Sequence, residues 1–340
     1  MEPFEVIEPR SGESAVVVEV PHAGLWIDPE SLAFTRAPAR SIARDADLYV
    51  DELCRDAPVE GATLLVSRIS RFVVDLNRGE GDFDGTAVEG GGRAPAPRGL
   101  VWHLTTDGDP ILSAPLPRRE LERRLDGVYR PYHRTLEALL QRKVARFGHV
   151  VLLCAHSMPS QARPFLGAPA GPRQPAPPPA FRADLVPGSR GRTSAAGAVI
   201  DRVDAHGKAF GFTVRHDDPY RGGFSTAHYG QPAQGVHAIQ IEIARRLYMD
   251  ESTHRIDAQG FRAVREFART LAARLAFAEP DAPARTLRRE PGHDGGSAPK
   301  PGHDGGSAPK PGHDGGSAPK PGHDGGSAPK PRGTEPPNGR

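Results

Sequence analysis

The sequence has few features of a secreted or membrane protein. No apolar run approaches the roughly 20 residues that a membrane-spanning helix needs, and residues 1–10 are too charged for a signal peptide. Only two cysteines are present, Cys54 and Cys154, which cannot form a disulfide framework. These absences predict a soluble protein of a reducing compartment, and we expect it in the cytoplasm.

Charge of one sign is not in excess either. The chain has 44 basic and 42 acidic residues, and its net charge of +2 gives no basic footprint for nucleic acid. The sequence also lacks the short motifs of nucleotide-binding loops, dinucleotide-binding folds, CxxC or HExxH metal sites and serine hydrolases. We therefore expect no nucleic acid or membrane partner, and we leave open whether the protein is a monomer or a homo-oligomer.

The C-terminal part of the sequence is repetitive. Residues 292–331 are four copies of the unit GHDGGSAPKP, which has no apolar face to bury and cannot offset its ordering entropy. We therefore predict a folded domain over residues 1–277 and a disordered low-complexity tail over residues 278–340. A solvated linker is favoured over a metal-binding tail, because one histidine in ten flexible residues preorganises no site. The tail histidines are His293, His303, His313 and His323.

Between these ends, apolar runs alternate with segments of helical periodicity. Near-continuous apolar strands separated by helices predict an α/β fold with a mostly parallel sheet that is covered by helices on both faces. In such sheets, ligands bind beyond the carboxyl ends of the strands. The strand-like runs are residues 15–20, 63–66, 72–76, 149–154 and 238–243, and the helical patterns cover residues 41–55, 116–147, 193–210 and 257–276.

Two histidines stand at equivalent places in this pattern. His22 and His156 each follow an apolar strand, which makes a shared metal site as well supported as two structural histidines. Imidazole suits zinc, and a catalytic zinc site needs about three protein ligands and an open position for water. Asp45, Asp47 and Asp51 could supply the third ligand; Asp47 and Asp51 would share one helix face. A solvated acidic face is the alternative interpretation.

Other polar residues also follow or interrupt apolar strands. Asn77 and Arg78 come after residues 72–76, and arginine matches a carboxylate in shape and charge, although a surface salt bridge is the alternative. Glu242 lies between isoleucines, with Gln240 on the same strand face. Because a carboxylate is rarely buried without a partner or a function, Glu242 could act as a general base that later protonates a leaving amine.

Two further residues occur in loop-like segments. Arg221 lies in the segment DPYRGG, whose glycines would let the backbone approach a ligand, and Tyr229 follows shortly after it. Both could be ordinary loop residues. Cys154 lies within an apolar strand and is interpreted as an inert core residue.

Taken in order, these pieces resemble the N-formylglutamate amidohydrolase family. The resemblance spans about residues 15–275, and the number of motifs in the right order makes it specific. The matching segments include PHAG (21–24), RDADLYVDEL (44–53), SRFVVDLNR (70–78), RGLVWHLTTDGDPIL (98–112), YRPYHRTLEALL (129–140), HSMPS (156–160), DLVPGSRGRTSA (184–195), DDPYRGG (217–223) and HYGQPAQGVHAIQIEIARRLYMDE (228–251). The family implies a single phosphorylase/hydrolase-like domain and is distantly similar to zinc carboxypeptidases and aspartoacylases.

The resemblance implies one Zn²⁺ per chain, held by His22, His156 and an acid. In aspartoacylase-like relatives a glutamate ligand follows the first histidine by three residues, but Leu25 stands there in this chain. The third ligand is therefore assigned to Asp47, with Asp45 as the substitute.

The resemblance also implies roles for the remaining candidates. Glu242 is the general base, Arg71 polarises the scissile carbonyl, and Asn77 with Arg78 grips a substrate carboxylate. N-formylglutamate carries two carboxylates, so we expect two cations, Arg78 and Arg221, to bind it. Tyr229 is a further candidate for substrate binding. The implied reaction is hydrolysis of this small-molecule N-acyl amino acid to formate and the free amino acid, in histidine catabolism. The alternatives are another acyl-amino acid or peptide as substrate, or an inactive binding protein.

One position departs from the family pattern. An aspartate usually precedes the second histidine by two residues, where this chain has Cys154. Such a carboxylate would orient the ligand histidine. Its loss predicts weaker zinc binding, an altered substrate or a replacement from another element.

Overall fold

The computed structural model describes residues 1–10, 12–94, 96–161 and 181–277. The repeat tail and its histidines lie outside the described residues, as does most of the proline-rich segment before residue 181. The boundary at residue 277 therefore stays a prediction. Within the described ranges, no helix is both long and apolar enough to span a bilayer.

The core of the fold is a six-stranded sheet in the order β1-β3-β2-β4-β6-β5. The neighbouring strands β3, β2, β4 and β6 pair in parallel, and the edge strands β1 and β5 pair antiparallel. The prediction of a mostly parallel sheet is thus confirmed, although neither edge strand was expected. The strands are β1 Phe4–Ile7, β2 Val16–Val20, β3 Thr63–Ser67, β4 Val150–Met158, β5 Leu185–Gly188 and β6 Val236–Ala244.

Helices cover both faces of this sheet, as predicted. Successive residues of β2 point to opposite sides, so that Val18 joins one apolar core and Val17 the other. Phe267 of α8 packs in the first core, and Leu136 of α5 packs in the second. The α-helices are α1 Pro29–Leu32, α2 Ala39–Asp45, α3 Val50–Leu53, α4 Arg118–Arg124, α5 Arg130–Phe147, α6 Gly197–Ala209, α7 Phe224–Tyr229 and α8 Ala258–Ala276.

The long helical pattern before residue 148 is one nearly continuous helical stretch. A π-helical turn, Leu125–Tyr129, joins α4 to α5. Gly148 ends α5 in the left-handed region, with φ of 76°, a conformation that suits glycine because it has no Cβ. The prediction for residues 116–147 is therefore confirmed, and so is the final helix, whose first turn Asp257 caps by accepting from the Gln259 amide.

The helix predicted over residues 41–55 is interrupted, and this correction matters for the site. α2 ends at Asp45 and α3 begins at Val50, with Tyr49 between them at φ of 67°. In the gap, the amide of Asp47 donates to the carbonyl of His22 at 3.0 Å. Asp47 thus belongs to a loop tied to the end of β2, and the expectation that it shares a helix face with Asp51 is wrong.

The strand expected over residues 72–76 is also wrong. These residues form buried turns, in which the amide of Val73 donates to Ser70 and that of Arg78 to Asp75. Their side chains pack in the same core as β2 and α5, which accounts for the apolar run. Burial therefore produced a strand-like composition without strand geometry.

Candidate active site

Three side chains converge beyond the carboxyl ends of the central strands. His22, Asp47 and His156 are buried, and each offers a ligand atom within 4.8 Å of the others. Asp47 Oδ2 lies 3.0 Å from His156 Nδ1 and 3.6 Å from His22 Nδ1. Two imidazole nitrogens and a carboxylate oxygen are a donor set that suits zinc.

Strand order explains why the two histidines meet. β2 and β4 are parallel neighbours, so His22, two residues beyond β2, and His156, near the end of β4, reach the same edge of the sheet. Their ring centroids are 4.9 Å apart. The hydrogen bond between the Asp47 amide and the His22 carbonyl then brings the carboxylate to both rings.

A buried aspartate fixes the far side of His22. Asp75 Oδ1 lies 2.8 Å from His22 Nε2, and Asp75 Oδ2 accepts from Arg71 Nη2 at 2.7 Å and from Trp102 Nε1 at 2.9 Å. His22 Nδ1 is buried and has no hydrogen-bond partner within the described residues. This orphaned nitrogen, next to Asp47 and His156, is the atom that a metal ion would satisfy.

Asp47 and His156 are also held by hydrogen bonds on the side that faces away from the cluster. Asp47 Oδ1 accepts from Ser157 Oγ and from Arg245 Nη2, both at 3.3 Å. Asn77 Nδ2 lies 3.3 Å from His156 Nε2. Each prospective ligand therefore has its reactive atom toward the cluster and its other polar atom bonded to the protein, which preorganises the site.

The acids of the cluster are ionised. Burial alone would raise the pKa of Asp47, but the hydrogen bond from His156 and the nearby charges of His156 and His22 outweigh it and hold this pKa well below the ordinary value. Burial likewise opposes ionisation of Asp75, yet the charges of Arg71 and His22 keep its pKa well below the usual range. Ionised carboxylates beside imidazoles favour a bound cation.

Glu242 stands beside this cluster on the neighbouring strand. It pairs in register with His156, because β4 and β6 are parallel neighbours. Burial raises its pKa to about 7, the charge of His156 opposing that rise. Gln240 Nε2 donates to Glu242 Oε1 at 2.8 Å, so the carboxyl group is held in one orientation. A carboxyl group with this pKa can accept and return a proton near neutrality.

The cluster opens into a cavity of about 590 Å³ whose walls carry many cations. At least four of its arginines pair with acids of the protein itself: Arg44 with Asp107, Arg71 with Asp75, Arg78 with Asp82 and Arg245 with Asp47. The volume fits a small molecule, and the charge fits an anionic one. The arginines of the wall are Arg44, Arg71, Arg78, Arg98, Arg182 and Arg245.

Comparison with known proteins gives the family. The model of the N-formylglutamate amidohydrolase family matches residues 14–249. The chain belongs to this family. It is 32% identical over 277 residues to the N-formylglutamate deformylase of Pseudomonas aeruginosa, a match that covers 79% of this chain and 97% of that protein. It is 30% identical over 256 residues to the N-formylglutamate deformylase of Pseudomonas putida, covering 73% and 86%.

Solved structures agree with this assignment. The crystal structure of N-formylglutamate amidohydrolase from Ralstonia eutropha JMP134 superposes with a TM-score of 0.72 at 31% sequence identity, covering 81% of this chain and 98% of that chain. The resemblance expected from the ordered motifs is therefore confirmed, and the chain is an amidohydrolase enzyme.

In this amidohydrolase, the positions of Asp47 and Asp45 distinguish the two candidates for the third ligand. The structure brings Asp47, and not Asp45, to the two histidines. The Asp45 carboxylate lines the cavity and accepts from the Thr106 amide at 2.9 Å. Sequence reasoning did not single out Asp75, Trp102 or Arg245, although an acid inside the apolar run FVVDLN was a visible signal for Asp75.

The predicted substrate-binding residues occupy different places. Arg78 lines the cavity of the cluster. Asn77 and the exposed Arg221 line an adjoining cavity, which Arg78 shares. Tyr229 lines neither of them; its hydroxyl group lies 2.9 Å from Nδ1 of His133. The structure therefore does not bring Tyr229 to the cluster, and it places Arg221 beside the main cavity but not in its wall.

Proposed function

We propose that this amidohydrolase cleaves the amide bond of N-formyl-L-glutamate or of a similar N-acyl amino acid. The products would be formate, or another carboxylate, and the free amino acid. The observation that carries the proposal is the convergence of His22, Asp47 and His156 beside the buried Glu242, in a cavity with a cationic wall. The names of the Pseudomonas relatives support the choice of substrate.

The proposal includes one zinc ion per chain, held by His22, Asp47 and His156. The donor atoms fit this ion: His22 Nδ1 is a buried nitrogen without a hydrogen-bond partner in the described part of the chain, and Asp47 is ionised. When bound, zinc supplies a Lewis acid that polarises a carbonyl group and acidifies water.

Glu242 moves the proton in the proposed reaction. Its carboxylate takes a proton from the attacking water and later gives it to the amide nitrogen as the C–N bond breaks, so that a neutral amine leaves. A pKa of about 7 suits both halves of this transfer. The hydrogen bond from Gln240 keeps the carboxyl group in place between the two steps.

Arg71 contributes positive charge next to the cluster. Its guanidinium group is fixed by Asp75 and lies over the ring of Trp102, 4.3 Å from the centroid. A fixed cation beside the cluster stabilises the negative charge that develops on the scissile carbonyl oxygen. Arg71 therefore acts through its charge, while its donors stay bonded to the protein.

The cationic wall selects the substrate in this proposal. Arg78, at the cavity edge, binds the α-carboxylate, while the amide of Asn77 stays engaged with the protein. For the side-chain carboxylate, Arg182 is better placed than Arg221, because it lines the same cavity as His22. Arg182 Nε is buried without a hydrogen-bond partner in the described residues.

One experiment tests the proposal and its two alternatives. Zinc content and formate release from N-formylglutamate are measured for the full chain and for His156→Ala. We expect one zinc per chain that His156→Ala loses, together with formate release by the wild type. Zinc at this site without formate release would favour another acyl-amino acid or peptide as substrate. Zinc that survives in His156→Ala would contradict the proposed site, and no zinc at all would favour an inactive binding protein.

A further inference from the structure

Glu19 is a completely buried glutamate that the proposed reaction does not use. It is the last but one residue of β2, with a valine on each side, and its exposed fraction is 0%. Burying a glutamate in such a place costs free energy unless hydrogen bonds or a charged partner offset the loss of water. One of its oxygens, Oε2, has no hydrogen-bond partner in the described residues.

The other oxygen of Glu19 begins a chain of hydrogen bonds that ends at His156. Glu19 Oε1 accepts from Ser225 Oγ at 3.0 Å. The amide of Ser225 donates to Asn77 Oδ1, also at 3.0 Å. Asn77 Nδ2 in turn lies 3.3 Å from His156 Nε2. Glu19 therefore anchors the short helix α7 at the residue that orients the Asn77 amide against His156.

The register of the sheet explains why Glu19 can do this. Glu19 of β2 pairs with Cys154 of β4, two residues before His156, so the three side chains share one face of the sheet. Cys154 is buried, and its thiol lies beside the Glu19 carboxyl group and the Thr226 hydroxyl group. On this face, the carboxyl group linked to His156 by hydrogen bonds is thus that of Glu19, which comes from the neighbouring strand β2.

We propose that Glu19 is a positioning residue for His156, acting through Ser225 and Asn77. The proposal rests on the proposed role of His156 as a zinc ligand, but not on the identity of the substrate. Without the Glu19 acceptor, the Ser225 hydroxyl group loses its anchor, and the Ser225 amide no longer holds the Asn77 side chain as firmly against His156. The imidazole ring of His156 then loses part of its fixed orientation. The affinity for Zn²⁺ then falls, because groups that orient a ligand change metal affinity about 10- to 100-fold.

The test measures the dissociation constant for Zn²⁺ of the full chain by competition with a chromophoric chelator. We expect Glu19→Val and Ser225→Ala each to weaken zinc binding about tenfold. The double variant should be no weaker than the worse single variant, because both changes break the same chain. Glu19→Gln keeps an acceptor oxygen and should bind zinc within about threefold of the wild type. If Glu19→Val fails to fold, the comparison of Glu19→Gln with Ser225→Ala tests the inference.

Tyr132→Phe is the matched control. The Tyr132 hydroxyl group donates to the same Glu19 oxygen at 3.2 Å but leads away from the cluster. Its removal should lower thermal stability without changing zinc affinity. The inference is overturned if Glu19→Val binds zinc like Tyr132→Phe, or if Glu19→Gln weakens binding as much as Ser225→Ala. Zinc binding that responds to Glu19 without formate release would contradict the proposed substrate and leave this inference standing.

Discussion

Asp75 Oδ1 lies 2.8 Å from His22 Nε2, and this contact determines which nitrogen of His22 faces the cluster. Asp75 is itself fixed by Arg71 and Trp102, so its carboxylate cannot turn away. The imidazole ring is thus presented with Nδ1 toward Asp47 and His156. Carboxylate–histidine pairs of this kind fix the tautomer and raise the basicity of a metal ligand.

We therefore expect Asp75→Asn to weaken zinc binding about 10- to 100-fold while the fold is retained. The amide keeps the size of the side chain but does not provide the negative charge behind His22. Zinc affinity of the purified variant, measured with a competing chelator, checks this. Asp109→Asn, at a partly exposed carboxylate that pairs with Arg40, is the control. Equal zinc affinity in the two variants would count against a role for Asp75.

The third ligand can be tested by comparing two aspartates that are two residues apart. We expect Asp47→Ala to lose stoichiometric zinc, since its carboxylate oxygen lies 3.0 Å from His156 Nδ1. Asp45→Ala should keep one zinc per chain, because the Asp45 carboxylate accepts a hydrogen bond from the Thr106 amide and does not reach the two histidines. Metal analysis after gel filtration distinguishes the two. Loss of zinc from the Asp45 variant alone would make Asp45 the ligand.

The two histidines and the parallel core of the sheet could be predicted because they depend on local patterns. An apolar strand followed by a polar turn marks a strand end, and strand ends of a parallel sheet share an edge. Asp47 could only be reached through the family resemblance. Its position depends on a break in the helix at Tyr49, and nothing in the helical periodicity of residues 41–55 reveals that break.

Other residues of the site depend on contacts between distant segments. Arg245 reaches Asp47 across 198 positions of sequence, and Trp102 reaches Asp75 across 27. No periodicity relates such residues, so sequence reasoning could not place them. Tyr229 differs from these residues. Its place shortly after the segment DPYRGG suggests substrate binding, but its hydroxyl group contacts His133 and not the cluster.

We expect Glu242→Gln to lower kcat about 10²- to 10⁴-fold while zinc is retained, because a general base is removed without a metal ligand. In the wild type, the base is active when deprotonated, so kcat/KM should rise with pH through about 7, the raised pKa of this carboxyl group. Stopped or continuous formate assays across the pH range check both points. A variant with near wild-type kcat, or one that loses zinc, would contradict the assignment.

Two arginines should differ in the substrates that they recognise. Arg78→Met should raise KM about 10- to 100-fold for both N-formylglutamate and N-formylalanine, if Arg78 binds the α-carboxylate that these substrates share. Arg182→Met should raise KM only for N-formylglutamate, the substrate with a second carboxylate. Arg221→Met is the comparison, because Arg221 lines the adjoining cavity. A larger effect of Arg221→Met than of Arg182→Met would restore Arg221 as the second cation.

The buried pair of Glu120 and Arg124 should control stability in acid. Burial alone would raise the pKa of Glu120, but hydrogen bonds from Arg123 and Arg124 outweigh it and lower this pKa. A lowered pKa adds stability that is fully present above the unfolded-state value of 4.5 and is lost as the pH falls through the lower folded-state value. Glu120→Gln also leaves the guanidinium group of Arg124 buried without its counter-ion.

We therefore expect Glu120→Gln to lower the free energy of unfolding by about 3–5 kcal/mol at pH 7. The difference from the wild type should shrink below pH 4.5, where Glu120 begins to take up its proton in the unfolded chain. Urea unfolding at several pH values measures this. Asp126→Asn, at the exposed pair with Arg130, should cost less than about 1 kcal/mol. If both variants lose the same free energy, burial of the Glu120–Arg124 pair is not what stabilises the protein.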